Sequence, residues 1–150
     1  MGNSMKKLVL YSLSIWALLP LSCTLESDNS GKLGGQWHME QVDTLATDGH
    51  LDMGQQKCYW CFQGPILETS VRDGSFKQQI IYRYAHDNNQ LTISEPRLLN
   101  REKGDSLLQD THEFSQFGIN DVKETFDIEY LDSHRMTLRS KTLRLFLRKF

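Results

Sequence analysis

The chain has 150 residues, of which 39% are hydrophobic and 24% are charged, so it has enough apolar sequence for one folded domain. Its formal net charge is −2, and this balance lacks the basic excess that is typical of nucleic-acid-binding domains. The composition therefore indicates a globular protein and excludes a basic nucleic-acid-binding module.

Residues 1–22 have the features of a secretory signal segment. Lys6 and Lys7 give it a positive start, an apolar run follows over residues 8–21, and the small Ser22 ends it. The run is shorter than the roughly 20 apolar residues that a helix needs to span a bilayer. This segment therefore predicts export with cleavage, and not a membrane-spanning helix.

The next residue, Cys23, resembles the lipid-acceptor cysteine of bacterial lipoproteins. The resemblance implies that diacylglycerol is linked to its thiol and that the chain is cut before it. Pro20 stands where those proteins usually have Leu, Val or Ile, and the alternative is an ordinary cleaved signal with a chance cysteine. With Thr24 after the cysteine, the resemblance implies a protein of the cell envelope, held by lipid at the outer membrane on its periplasmic or surface face.

The mature chain divides into a tether and one domain. Removing residues 1–22 from 150 leaves 128 residues, and the loss of two lysines takes the net charge from −2 to −4. Residues 24–31 are polar and lack aromatic side chains, which predicts a flexible segment. We therefore expect a signal peptide over residues 1–22, a lipid-anchored tether over 23–32 and a folded domain over 33–150.

Alternation of apolar and polar residues dominates the domain from Gly35 onward. The alternating segments cover residues 35–43, 56–63, 75–85, 91–93, 126–130, 136–138 and 143–147. Turn-forming sequences such as His86-Asp87-Asn88-Asn89 and Asp132-Ser133-His134 separate them. Short strands divided by turns predict an antiparallel sandwich or barrel of about seven to nine strands.

Residues 105–118 break the alternation. Asp105 or Ser106 can cap a helical start and Gly118 a helical end, after a polar loop over residues 96–106. The apolar side chains near helical spacing are Leu107, Leu108, Phe114 and Phe117. We therefore predict a short helix or turn before the last three strands of an all-β fold. A small closed antiparallel barrel of about eight strands would remove sheet edges and can enclose one small ligand.

Both ends of the predicted domain resemble lipocalins. The Gly-x-Trp sequence Gly35-Gln36-Trp37 opens the first strand as in that family, and the C-terminal segments look like those of the lipocalin-like lipoproteins of Bacteroides and relatives. Those segments are residues 117–120, 126–131, 135–140 and 143–150. The resemblance covers residues 33–150 and implies an eight-stranded barrel on an envelope lipoprotein, with no established ligand. It also implies that Arg148 or Lys149 packs over Trp37.

Cys58 and Cys61 form a Cys-x-x-Cys motif within a strand-like segment. Residues three apart on a strand lie about 10 Å apart and face opposite sides, whereas a disulfide needs Cα atoms within about 7 Å. We therefore expect two unlinked packing cysteines. A bulge or turn at Tyr59-Trp60 would permit a structural disulfide. A redox or metal-binding role is the remaining alternative, with a loose similarity to copper-responsive, stress-sensing outer-membrane lipoproteins.

The other polar residues form no motif for chemistry. The histidines, His38, His50, His86, His112 and His134, contain no His-x-His or His-x-x-x-His pair. No carboxylate pair or nucleophile elbow stands out, so we expect no catalytic residue, metal site or cofactor. Basic residues near the C-terminus predict an exposed face, with an inward arginine that binds a carboxylate ligand as the alternative. They are Arg135, Arg139, Lys141, Arg144, Arg148 and Lys149.

Six aromatic residues are candidates for a ligand-binding barrel interior. They are Trp60, Phe62, Tyr82, Tyr84, Phe126 and Tyr130. Ligand pockets are mostly apolar with a few polar groups, although a barrel of this size can also be filled by its own side chains. The sequence therefore predicts a non-enzymatic binding or interaction module on a lipid tether. Its partner is a small, partly apolar ligand if the barrel is hollow and an envelope protein if it is filled. The alternative is an envelope stress or redox sensor that uses Cys58 and Cys61.

Overall fold

The computed structural model describes residues 30–73, 76–99 and 104–150, which form an all-β domain. Its strands are β1 (Gly35–Thr44), β2 (Gly49–Asp52), β3 (Lys57–Gln63), β4 (Ile66–Asp73), β5 (Phe76–Asp87), β6 (Gln90–Leu98), β7 (Ser106–Leu107), β8 (Lys123–Leu131), β9 (Arg135–Arg139) and β10 (Leu143–Lys149). The predicted signal segment, the lipid-acceptor Cys23 and the tether as far as residue 29 lie outside the described residues.

Eight of these strands close into a barrel. The wall follows the order β1-β3-β4-β5-β6-β8-β9-β10, and β10 pairs antiparallel with β1 to complete it. Across that closing pair Met39 lies opposite Leu147 and Val42 opposite Leu145. The two short strands extend the wall, β2 beside β1 and β7 beside β6. The predicted fold class, a small eight-stranded lipocalin-like barrel, is confirmed.

The core lies inside the barrel because the strands alternate as the sequence does. Along β3, Cys58, Trp60 and Phe62 point inward and are at most 1% exposed, while their neighbours point outward. Leu145 and Leu147 of β10 follow the same rule. Removal of this apolar surface from water is the main driving force for closing the sheet on itself.

A 3₁₀ turn (Gly31–Leu33) and the last strand close one end of the barrel. Trp37 Nε1 donates to the carbonyl of Leu33 at 2.7 Å, and Lys149 Nζ lies 5.1 Å from the centroid of the Trp37 ring. Lys149 is therefore the basic residue that packs over Trp37. Arg148 instead forms an ion pair with Glu40 on the outer wall.

At the opposite end, two 3₁₀ turns (Thr111–Glu113 and Ser115–Phe117) stand where a short helix or turn is predicted. Asp110 caps the first turn, rather than Asp105 or Ser106, and Gly118 ends the second in the left-handed conformation, as expected. Strand β6 runs on to Leu98, into the predicted loop. Within the described ranges, no helix has the length and apolar character needed to cross a membrane.

Candidate functional site

Most of the predicted ligand-binding aromatic residues meet inside the barrel. Trp60, Phe62, Tyr82 and Phe126 are at most 2% exposed, and the half-buried Tyr84 packs on the same core. The Trp60 ring lies edge-on to Phe126 with centroids 5.9 Å apart, and Phe62 lies edge-on to Tyr84 at 5.0 Å. Strand alternation thus identifies this interior cluster, and a ligand role for it stays a prediction.

Tyr130 lies on the outer wall, 50% exposed, which corrects its predicted interior position. The pairing of β8 with β9 shifts between Ile128 and Tyr130, and such a bulge inserts a residue that reverses the faces beyond it. The Tyr130 hydroxyl donates to Oδ2 of Asp132 at 2.7 Å. That hydrogen bond and those from the backbone N–H groups of His134 and Arg135 lower the pKa of Asp132 to about 2.

The polar atoms of the interior aromatic residues are bonded within the protein. Trp60 Nε1 donates to the carbonyl of Phe117 at 3.1 Å, and the Tyr84 hydroxyl donates to the carbonyl of Gly64 at 2.7 Å. The Tyr82 hydroxyl accepts a hydrogen bond from Thr69 Oγ1 at 3.2 Å, and burial raises the pKa of Tyr82. These groups are therefore already satisfied without a ligand.

Residues 110–118, which we call the plug, fill the end of the barrel opposite Trp37. Phe114 and Phe117 are both fully buried in the core. Gln78 on β5 donates to the carbonyl of Glu113 at 3.1 Å and so ties the plug to the wall. The sequence indicates this segment through the spacing of its apolar residues and through Gly118 at its end, but not that it enters the barrel.

Cys58 and Cys61 are free thiols on opposite faces of β3. Burial raises the pKa of the inward Cys58 to about 12. Burial, and to a lesser degree the charge of Glu68, raises the pKa of the half-buried Cys61. The thiolate is the reactive form, so these shifts are opposite to the lowered pKa that activates a cysteine.

The described histidines do not converge on a common site. His38 is 7% exposed on the outer face of β1, where Nε2 lies 2.7 Å from the carbonyl of Gln56. His50 Nδ1 lies 2.7 Å from Asp43, and this hydrogen bond raises the pKa of His50. In the part of the chain that the structure describes, no group of three or more His, Cys, Asp or Glu could hold a metal ion.

The basic residues near the C-terminus lie outside the barrel, as the predicted exposed face requires, and the alternative of an inward arginine is not found among them. Arg144 donates from Nε and Nη2 to the two carboxylate oxygens of Glu129 at 2.7 and 3.0 Å. Arg139 lies 3.8 Å from the same carboxylate. The shared Glu129 therefore holds both arginines against the outer wall. The hydrogen bonds from Arg144 and the charges of both arginines lower the pKa of Glu129.

A cavity of about 800 Å³ lies on the outer wall where β8, β9, β10 and β1 run side by side. We call it the outer-wall groove. Its lining includes Glu40, Gln41, Tyr130, Arg135, Phe146 and Arg148. Sequence reasoning missed this site because two β-bulges, in β1 and β8, bring these residues to one face.

A second, smaller cavity of about 270 Å³ lies over β4, β5 and β6. Glu95 takes a left-handed conformation there, with φ of 53°, at a bulge in β6 opposite Tyr82. Its carboxylate lies 3.5 Å from Arg97 and 3.9 Å from Arg83. The charges in this cavity therefore compensate one another.

Comparison with known proteins agrees with this architecture. The family model described as a lipocalin-like domain matches residues 16–150. A crystal structure of a lipocalin-like protein from Bacteroides uniformis ATCC 8492 has a TM-score of 0.62 and 20% identity, with coverage of 80% of this chain and 100% of that chain. A structure of an uncharacterized protein from Bacteroides eggerthii DSM 20697 has a TM-score of 0.58 and 16% identity, with 78% and 98% covered. No curated protein matches the sequence.

Proposed function

Because this chain belongs to the lipocalin-like domain family, we propose that it is an envelope lipoprotein whose barrel acts as a non-enzymatic binding module. The lipocalin-like fold is typical of proteins that bind ligands and perform no chemistry on them. The proposal has two parts, a lipid anchor on Cys23 and a binding surface on the barrel, and each has its own support.

The anchor is supported by the sequence before the barrel. A charged start, a short apolar run and a small residue directly precede Cys23. Ser30, the first described residue, lies beside the turn between β3 and β4, where its hydroxyl is 3.4 Å from the carbonyl of Gly64. The seven-residue step from Cys23 to Ser30 spans at most about 25 Å. A lipid on Cys23 would therefore hold this end of the barrel close to the bilayer, at the outer membrane as we propose.

The observation that carries the binding function is a closed barrel with a groove of ligand size on its wall. The groove volume of about 800 Å³ falls within the range of about 300–1,000 Å³ that small-molecule sites occupy. The interior, in contrast, holds Phe114 and Phe117 of the plug. A small, partly apolar ligand among Trp60, Phe62, Tyr82, Tyr84 and Phe126 would therefore have to displace the plug.

The alternative, a redox or metal sensor, gains no support from the cysteine geometry. Cys58 and Cys61 face opposite sides of β3, and burial raises the pKa of both thiols. A sensor cysteine is normally exposed, with a lowered pKa. The binding module is therefore the function that we propose.

The anchor is tested with the variant Cys23→Ser, expressed in a Gram-negative host supplied with labelled palmitate. We expect the unmodified chain to incorporate label and to enter the detergent phase on phase separation. The variant should lose the label completely because it lacks the acceptor thiol. It should also leave the detergent phase, because each buried methylene group of an acyl chain contributes about 0.8 kcal/mol to membrane binding.

Cys61→Ser is the matched control, since it removes one half-buried thiol and leaves the proposed acceptor in place. It should incorporate label like the unmodified chain. Label that persists in Cys23→Ser would show that the anchor model is wrong and would leave the binding part of the proposal intact.

A further inference from the structure

We propose that the outer-wall groove is a binding site for a small amphipathic carboxylate, with a flat apolar body and one anionic head. This inference rests on the proposed binding function, and it is independent of the lipid anchor. It names the site and the chemical class of ligand, which the lipocalin-like fold alone does not provide.

The floor of the groove is a row of side chains across four strands. Tyr130 pairs with Thr137, Thr137 with Phe146, and Phe146 with Gln41. Bulges in β8 and β1 turn the first and last members of this row outward. The result is a half-exposed tyrosine and a half-buried phenylalanine on either side of Thr137, a surface suited to a ring or a short acyl chain.

One edge of the groove carries two guanidinium groups. Arg135 and Arg148 are cross-strand partners on β9 and β10, and like charges in that relation repel each other. Arg148 has a counter-ion in Glu40. Among the described residues, the Arg135 guanidinium has neither an ion pair nor a hydrogen bond, so its donors remain available to a carboxylate.

The arginines on the far side of the groove have counter-ions of their own. Beyond the floor row, Arg139 and Arg144 share the carboxylate of Glu129. Arg144 also has Asp43 as its cross-strand partner.

Near Arg135, the carboxylate of Asp132 accepts hydrogen bonds from the Tyr130 hydroxyl and from two backbone N–H groups. Arg135 therefore remains the guanidinium group of the groove without an ion pair among the described residues. An unpaired guanidinium group beside an apolar floor favours an anion with an apolar body over a neutral or cationic molecule.

The experiment uses 2-naphthoate as the probe and 2-naphthamide as its neutral analogue. Binding is measured by isothermal titration calorimetry on the full chain carrying Cys23→Ser, which removes the proposed lipid acceptor and permits work without detergent. We expect saturable binding of the naphthoate and weaker binding of the amide, because only the carboxylate forms a charge-assisted pair with Arg135.

The deciding variants are Arg135→Gln and Lys141→Gln. Each removes one positive charge, but Lys141 is an exposed residue of the turn between β9 and β10, outside the groove lining. Arg135→Gln should weaken naphthoate binding by about 10- to 100-fold, and Lys141→Gln should leave it unchanged. Matching near-ultraviolet circular dichroism spectra will verify that both variants are folded.

Three results would overturn the inference. If wild-type affinity persists in Arg135→Gln, the probe binds elsewhere, so the groove assignment is wrong while the binding function stands. If naphthoate shows no saturable binding to the unmodified groove, or if Lys141→Gln weakens it equally, the groove does not recognise carboxylates. None of these results bears on palmitate labelling at Cys23, which tests the anchor separately.

Discussion

Single residues determine how the barrel closes at its Trp37 end. Gly35 has φ of 108°, and a Cβ atom there would lie 3.0 Å from Cε of Lys149. Glycine is therefore required for the backbone conformation, and it also leaves room for the lysine side chain. The lysine in turn covers the Trp37 ring and donates to the carbonyl of Lys32 at 3.3 Å. The Gly-x-Trp motif thus reflects a set of contacts that seals this end.

The two thiols give the first test at the scale of residues. Because burial raises the pKa of Cys58 to about 12, its thiolate is scarce at neutral pH. We expect Cys58 in the folded Cys23→Ser chain to react with an aqueous disulfide reagent roughly a thousandfold more slowly than a free cysteine. Raising the pH should increase the rate, since a larger fraction of the thiol ionises.

Cys58→Ser and Cys61→Ser assign each reaction to its residue, and denaturant should expose both thiols to the reagent. The half-buried Cys61 should react first. Rapid labelling of Cys58 in the folded protein would contradict its burial on the inward face of β3. Failure of both thiols to react after denaturation would mean that the two cysteines are not free.

At the residue scale, alternation predicts burial correctly only while the strand stays regular. Trp60 and Phe62 on β3 point inward as the pattern requires, because β3 pairs with β4 without interruption. Phe126 does so too, but Tyr130 lies beyond the bulge in β8 and points outward. No glycine or proline marks that bulge, so the sequence contains no local signal for it.

At the scale of elements, the plug is the part of the fold that the sequence describes least well. Its apolar spacing fits a helix or a 3₁₀ turn equally, because side chains three positions apart, as Phe114 and Phe117 are, lie on one face of either structure. The choice between a helix and a 3₁₀ turn depends on the space inside the barrel, and that space exists only after distant strands have paired. The groove is unpredictable for the same reason, since Glu40 and Arg148 become neighbours through the pairing of β1 with β10.

Gly118 tests how tightly the plug is held. Its φ is 77°, and a Cβ atom would lie 2.7 Å from Cδ2 of Leu145. Gly118→Ala should therefore lower the free energy of unfolding by about 2 kcal/mol or more, through left-handed strain and overpacking combined. Urea denaturation followed by tryptophan fluorescence measures this change.

Gly64→Ala is the matched control, because its φ is 55° and no atom lies within 4 Å of the added methyl group. It should show the conformational strain alone, about 1 kcal/mol. Equal destabilisation by the two substitutions would mean that Gly118 does not pack against the β10 leucine as described.

At the scale of the whole molecule, closure of the sheet determines which surface is available for binding. The alternating segments and the resemblance at both ends are sufficient to predict an eight-stranded barrel, because each inward face needs a partner and a closed sheet supplies one. They do not predict whether the barrel is hollow, since that depends on where the long connection between β6 and β8 lies. In this protein that connection enters the barrel, and the accessible binding surface is on the wall.

Phe117→Ala tests that arrangement directly. The side chain is fully buried, and the hydrogen bond from Trp60 Nε1 ends on the backbone carbonyl of Phe117, so the substitution removes the ring while that bond can persist. We expect a loss of about 3–5 kcal/mol of unfolding free energy and a dry apolar cavity that binds benzene, seen as a benzene-dependent rise in melting temperature. Phe150→Ala is the control, because that side chain is 75% exposed and contacts the outer rings of Tyr59 and His38, so it should change stability by about 1 kcal/mol or less.

Equal stability of the two variants would show that the plug does not occupy the barrel, and the interior aromatic cluster would then be the better candidate for the ligand site. A destabilised Phe117→Ala protein whose melting temperature rises with benzene, when that of the unmodified chain does not, would show that the plug occupies the barrel. The barrel of this lipocalin-like protein would then be a filled scaffold, because the protein's own phenylalanine occupies the volume that a ligand would need.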